Sequence, residues 1–117
     1  MRRSIAMGLV LVAALGVWAC GGPEERKAKY RVRAQEYFQQ GNYPKARVAL
    51  RNVLQIDPKD AQAYFLYAQV EEKERNWRNA FAGYQQVVEL NPEHDLAQIK
   101  LAKYYLEARA LEQAGQI

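Results

Sequence analysis

A chain of 117 residues has room for one small domain. Its one cysteine, Cys20, excludes an intrachain disulfide, and its one histidine, His94, leaves too few groups for a His–Cys zinc set or a Cys–His catalytic dyad within one chain. The formal charge of +4 is a poor argument for nucleic acid, because Arg2 and Arg3 at the extreme N-terminus supply half of it.

In chain order the first element is a targeting segment. Met1-Arg2-Arg3 is a short basic start, Ile5 to Ala19 carries no charge and is rich in Leu, Val and Ala, and Cys20-Gly21-Gly22-Pro23 breaks the run. That succession reads as a secretory signal over residues 1–19, too short for the roughly 20 apolar residues of a spanning helix. Secretion also argues against a nucleic-acid partner. Residues 20–26 are expected to be a short tether. Val17-Trp18-Ala19-Cys20 resembles the bacterial lipobox, with a branched aliphatic residue three before the cysteine and a small one just before it. The resemblance implies that Cys20 carries a diacylglyceryl group, becomes the mature N-terminus and ties the protein to a membrane. Gly21 stands where an Asp would signal inner-membrane retention, which favours the outer membrane and a periplasmic location. Arg26, Lys27, Lys29, Arg31 and Arg33 form the densest charge, read as the solvated face of an amphipathic helix whose other face is Tyr30, Ala34 and Tyr37.

Beyond the tether the chain repeats itself. Pro58 and Pro92 lie 34 apart, as do Tyr30 and Tyr64, Asn42 and Asn76, and Val53 and Val87. Ala34, Ala68 and Ala102 form one series and Ala46, Ala80 and Ala114 another. Apolar spacing predicts helices over about 24–40, 43–56, 60–74, 77–90 and 94–107, with a sixth from near 110. Ala108-Arg109-Ala110 stands where a glycine-type turn belongs, which favours the last two running together. No strand pattern appears.

A helix–turn–helix period of 34 resembles the tetratricopeptide repeat, or TPR. The matching features are an aromatic four before a small residue (Tyr30 with Ala34, Tyr64 with Ala68), a turn at Gly41-Asn42-Tyr43 and Arg75-Asn76-Trp77, a small residue in the second helix, and an aliphatic-Asx-Pro ending at Ile56-Asp57-Pro58 and Leu90-Asn91-Pro92. The resemblance implies an all-α, right-handed solenoid, with units at 27–60 and 61–94 and a partial third at 95–117. The small residues would let helices approach closely, and Tyr30, Tyr43, Tyr64 and Trp77 would fill the wedges between them. A third unit that stops within its second helix, with no polar cap, is expected to be the front of a longer array.

By the same resemblance the functional surface is a concave groove lined by the first helix of each unit. The outward positions are Arg31, Gln35, Phe38 and Gln39, then Gln62, Phe65, Gln69, Glu72 and Lys73, then Leu96, Ile99, Lys103 and Leu106. An amide-rich groove with apolar anchors suits a peptide or protein ligand; Phe38, Phe65 and Leu106 serve equally well as core. The clamp that some TPR domains use for C-terminal carboxylates is not matched, since Arg31, Gln35, Leu66, Leu96 and Lys100 hold its positions. Catalytic chemistry, metals and cofactors are not expected: there is no glycine-rich phosphate loop, Glu71, Glu72 and Glu74 read as one solvated helix face, and His94 reads as a solvated loop residue. The leading reading is a non-catalytic scaffold of the bacterial envelope, similar to TPR lipoproteins of surface-polysaccharide or exosortase-type systems. The alternative is the anchor and recognition module of an enzyme whose catalytic domain lies C-terminal.

Overall fold

The computed structural model describes residues 22–115, all of whose regular structure is helical. The signal segment, Cys20 and Gly21 lie outside the described residues. The helices are α1 (Pro23–Gln39), α2 (Tyr43–Ile56), α3 (Ala61–Lys73), α4 (Trp77–Leu90) and α5 (Asp95–Gln113). No described helix is long and apolar enough to cross a membrane.

Local chemistry sets each boundary. Pro23, whose missing N–H would be unpaired anyway, starts α1 three residues inside the expected tether, with Glu24 and Glu25 against the positive end of the helix dipole. Gly41 leaves α1 at φ +74°, and Arg75 takes the equivalent place after α3 at φ +60°, a conformation that strains a side-chain-bearing residue. Asn42 then caps α2 by accepting from Lys45 N at 3.3 Å. The two links between repeats share one design. Asp57 Oδ1 accepts from Lys59 N at 3.0 Å across Pro58, and Asn91 Oδ1 accepts from Glu93 N at 3.2 Å across Pro92. Asp60 next caps α3 through Ala63 N at 3.1 Å, and His94 caps α5 by accepting from Ala97 N on Nδ1 at 3.2 Å.

The helices pair in a repeating pattern. α1 packs chiefly on α2 and α3 on α4; α2 joins α3, α4 joins α5, and α1 also touches α3. Ala34, Ala46, Ala68 and Ala80 are fully buried, as their small size predicts. A Cβ built on Gly83 would lie 2.9 Å from Ala68 Cβ and 3.2 Å from its Cα, so α3 and α4 meet at a spacing only glycine allows. One core cluster gathers Ala34, Leu50, Val53, Leu66 and Val70, flanked by Tyr30, Phe38 and Tyr43. The other gathers Ala68, Tyr84, Val87 and Ala97, flanked by Tyr64, Phe65 and Tyr104.

Among the described residues no separate helix starts near 110: α5 runs unbroken to Gln113, the outcome that Ala108-Arg109-Ala110 in place of a glycine-type turn favours. Three expectations are corrected. Trp77 does not fill a wedge but is 53% exposed. His94 is not a solvated loop residue; it is half-buried at the helix cap, its ring 4.7 Å from that of Phe65. Glu71 is not on a solvated face: it is 1% exposed and points between α2 and α4.

Candidate functional site

The positions assigned to the groove divide into two groups. Gln35, Gln39, Gln62, Lys73, Leu96, Ile99, Lys103 and Leu106 are exposed, and Gln69 is half-buried. Gln35, Gln69 and Lys103 share one repeat position, and their side chains form no hydrogen bond or ion pair with any described residue. Such side chains keep their full hydrogen-bonding capacity for a ligand. Leu96, Ile99 and Leu106 are 59%, 62% and 69% exposed, and no described element packs over them.

The second group is absorbed by the fold. Arg31 pairs with Asp60, the α3 cap. Phe38 packs on the first core cluster, edge-on to Tyr43 with ring centroids 5.8 Å apart. Phe65 lies edge-on to Tyr84 at 5.7 Å and tilted against His94. Glu72 reaches between helices, accepting from the Tyr84 hydroxyl, from the Tyr104 hydroxyl at 3.2 Å and from Lys100 Nζ at 3.2 Å. Burial, reinforced by the Glu72 carboxylate, pushes both phenols far above their ordinary range, so they stay neutral donors at physiological pH.

Sequence reasoning missed the buried charges. Glu71 accepts from Arg47 Nε at 2.5 Å, Asn76 Nδ2 at 2.9 Å and Asn79 Nδ2 at 3.4 Å, while Arg47 also reaches Glu74 at 2.9 Å. Lys27 pairs with Asp57 at 3.0 Å, which divides the basic run of α1: Lys27 and Arg31 turn inward, while Arg26, Lys29 and Arg33 stay exposed.

A signal for these contacts was present in the repeat. Two of the pairs, moved by 34 residues, give other contacting pairs of different chemistry. Arg31–Asp60 becomes Phe65–His94, and Arg47–Glu71 becomes Phe81–Tyr105, a T-shaped pair at 5.4 Å. Both members change together, because a charge or a ring is tolerated there only opposite its own kind of partner.

Between α3 and α5 lies a crevice of about 560 Å³ lined by Glu72, Trp77, Lys100, Lys103, Tyr104, Glu107, Ala108 and Leu111. Its lining is mainly apolar, and includes the Trp77 and Tyr104 rings with Ala108 and Leu111. Among the described residues no group of three or more His, Cys, Asp or Glu could hold a metal. The arrangement offers binding surface: Gln35 and Gln39 on α1, Gln62 and Gln69 on α3, and Lys103 with exposed Leu96, Ile99 and Leu106 on α5.

Comparison with known proteins adds one finding. No curated protein and no solved structure matches the chain. A family model described as TPR repeat matches residues 34–73, which run from mid-α1 to the end of α3. The chain therefore contains a short TPR-like repeat region within an all-α array of paired helices, an architecture that in general terms suggests a protein-interaction scaffold.

Proposed function

We propose that the protein is a non-catalytic scaffold, a right-handed TPR solenoid tied to the bacterial outer membrane through lipid on Cys20, that holds extended peptide segments of its partners along the first helices of its hairpins. A role in envelope assembly or in polysaccharide or protein export fits this reading. The observation that carries it is the row of Gln35, Gln69 and Lys103. Each stands at the same repeat position, and none is used by the fold. Side chains with unspent hydrogen-bonding capacity in register along successive hairpins suit a peptide backbone, which presents donors and acceptors at a regular spacing.

The test replaces all three by alanine. None is part of the core, so helicity and melting temperature should stay at parent values. Affinity for partners crosslinked from envelope extracts should fall by about 0.5–1.5 kcal/mol for each lost hydrogen bond, and more for Lys103. A folded triple variant that binds those partners as well as the parent refutes the groove. The anchor is tested separately: Cys20→Ser should abolish the acyl mass and release the protein from membranes, and membrane retention with unchanged lipid mass refutes it.

A further inference from the structure

Resting on the peptide-groove reading above, we propose that the crevice between α3 and α5 seats one aromatic side chain of the bound peptide, a Phe or Tyr adjacent to an acidic residue, with Trp77 as its stacking wall. The repeat itself shows what fits there. In the first hairpin Phe38 lies edge-on to Tyr43 at 5.8 Å, shielding that ring. Trp77 and Glu72 hold the corresponding positions 34 residues on. Glu72 is a carboxylate drawn inward to Tyr84, Tyr104 and Lys100, so no phenyl ring is left to cover the indole. Trp77 is 53% exposed in consequence, with Tyr104 as its ring neighbour at 6.4 Å. A crevice of about 560 Å³ has room for an aromatic side chain.

The charges around the crevice place an acidic residue on one side of the aromatic one. Glu72 accepts from three donors and has little left to offer a ligand. Lys103 lines the crevice without an ion pair, at the repeat position of Gln35 and Gln69 along which the peptide backbone runs. An acidic residue beside the aromatic one meets Lys103. Glu107, one turn further along α5, repels a second acid on the other side.

The test uses the full chain carrying Trp18→Phe, so that Trp77 is the sole indole. The probes are three seven-residue peptides of Gly, Ser and Gln with Asp-Phe, Asp-Ala or Asn-Phe at the centre. Calorimetry gives affinity and Trp77 emission reports burial of the ring. The Asp-Phe peptide should shift the emission to the blue and bind at least about tenfold tighter than the Asp-Ala peptide. The Asn-Phe peptide should bind more weakly than Asp-Phe and with less dependence on salt. Trp77→Ala and Leu111→Glu change exposed walls and leave the core intact. Either should bring the Asp-Phe affinity down to that of Asp-Ala while the circular dichroism stays unchanged. Equal affinity for Asp-Phe and Asp-Ala, both weakened by Gln35→Ala with Gln69→Ala, refutes the crevice and leaves the groove standing. Asp-Phe binding that ignores both wall variants refutes the crevice, as does failure of all three peptides to bind at ~1 mM, well above a useful groove affinity. Asp-Phe binding that depends on the walls but ignores the Gln pair keeps the crevice and refutes the groove.

Discussion

Arg47→Ala should destabilise the protein by about 3 kcal/mol, the lower end of what removing one partner of a buried ion pair costs. Glu71 is 1% exposed and would keep its carboxylate in place with no opposing charge. The lower end applies because Asn76 and Asn79 still donate to it. In the parent, burial pushes the Glu71 carboxyl up, but the hydrogen bonds from Arg47 and Asn76 and the Arg47 charge outweigh burial and hold it below the ordinary carboxylate range. A carboxyl whose folded value is depressed stabilises the fold at neutral pH and loses that contribution as pH falls through the folded value, below the ordinary carboxylate range. Without Arg47 the sign reverses: burial dominates, the charged form is penalised at pH 7, and the penalty fades on protonation. The gap between parent and Arg47→Ala should therefore be widest near pH 7 and close toward pH 4. The double variant Arg47→Met with Glu71→Leu should lie within about 1 kcal/mol of the parent, since an apolar pair can replace a buried ionic one. Urea unfolding followed at 222 nm, at pH 7 and pH 4, measures all three. A loss below about 0.5 kcal/mol for Arg47→Ala at pH 7, typical of a surface pair, refutes the reasoning. So does a gap that widens in acid.

Two further predictions concern the backbone. Gly83→Ala should cost about 1–3 kcal/mol by overpacking, despite alanine's better helix propensity, because its Cβ would sit 2.9 Å from that of Ala68; a raised melting temperature refutes it. Arg75→Gly should stabilise by about 1 kcal/mol, because the chain leaves α3 at φ +60° there, and an unchanged or lower urea midpoint refutes that.

The parts of the fold readable in the sequence were those fixed by one residue's own size or backbone preference. Alanines at a spacing of 34 marked the close helix contacts, and Asp57-Pro58 and Asn91-Pro92 marked the links, because small volume and a missing N–H act wherever they stand. Glu71, Glu72 and His94 were not readable one at a time. An acidic side chain in a helix is solvated by default, and only Arg47 on α2 and Tyr84 on α4, distant in sequence, make burial tolerable. Trp77 went the other way. Its aromatic character suited a wedge, but the ring that shields its counterpart Tyr43 is Phe38, and Glu72 stands in that place. Among the positions assigned to a groove, Gln35, Gln39, Lys73 and Lys103 are exposed, whereas Phe38 and Phe65 were claimed by neighbours that the first helix alone does not reveal.

The contrast between the two hairpin junctions leads to a last prediction. Phe38, Leu50, Leu66 and Val70 build an apolar cluster where α3 meets the first hairpin; 34 residues on, the same positions are Glu72, Tyr84, Lys100 and Tyr104, joined by hydrogen bonds. Moving α5 onto the first hairpin would press Lys100 and Tyr104 against Phe38 and Leu50, with no acceptor for either, so the polar set fixes the order in which the helices stack. Partial conversion should therefore be worse than complete conversion. Glu72→Phe alone removes the acceptor of the fully buried Tyr84 and the partner of Lys100, at about 1–3 kcal/mol. Adding Tyr84→Leu, Lys100→Leu and Tyr104→Val removes every stranded donor and should recover most of that loss, because replacing all partners of a buried polar set by apolar groups is close to neutral. Chemical denaturation of the parent, the single variant and the quadruple variant measures this coupling. A quadruple variant no more stable than Glu72→Phe alone means the four side chains do not act as a set, and the stacking order must then be fixed elsewhere, with the Arg47–Glu71 pair the next element to test.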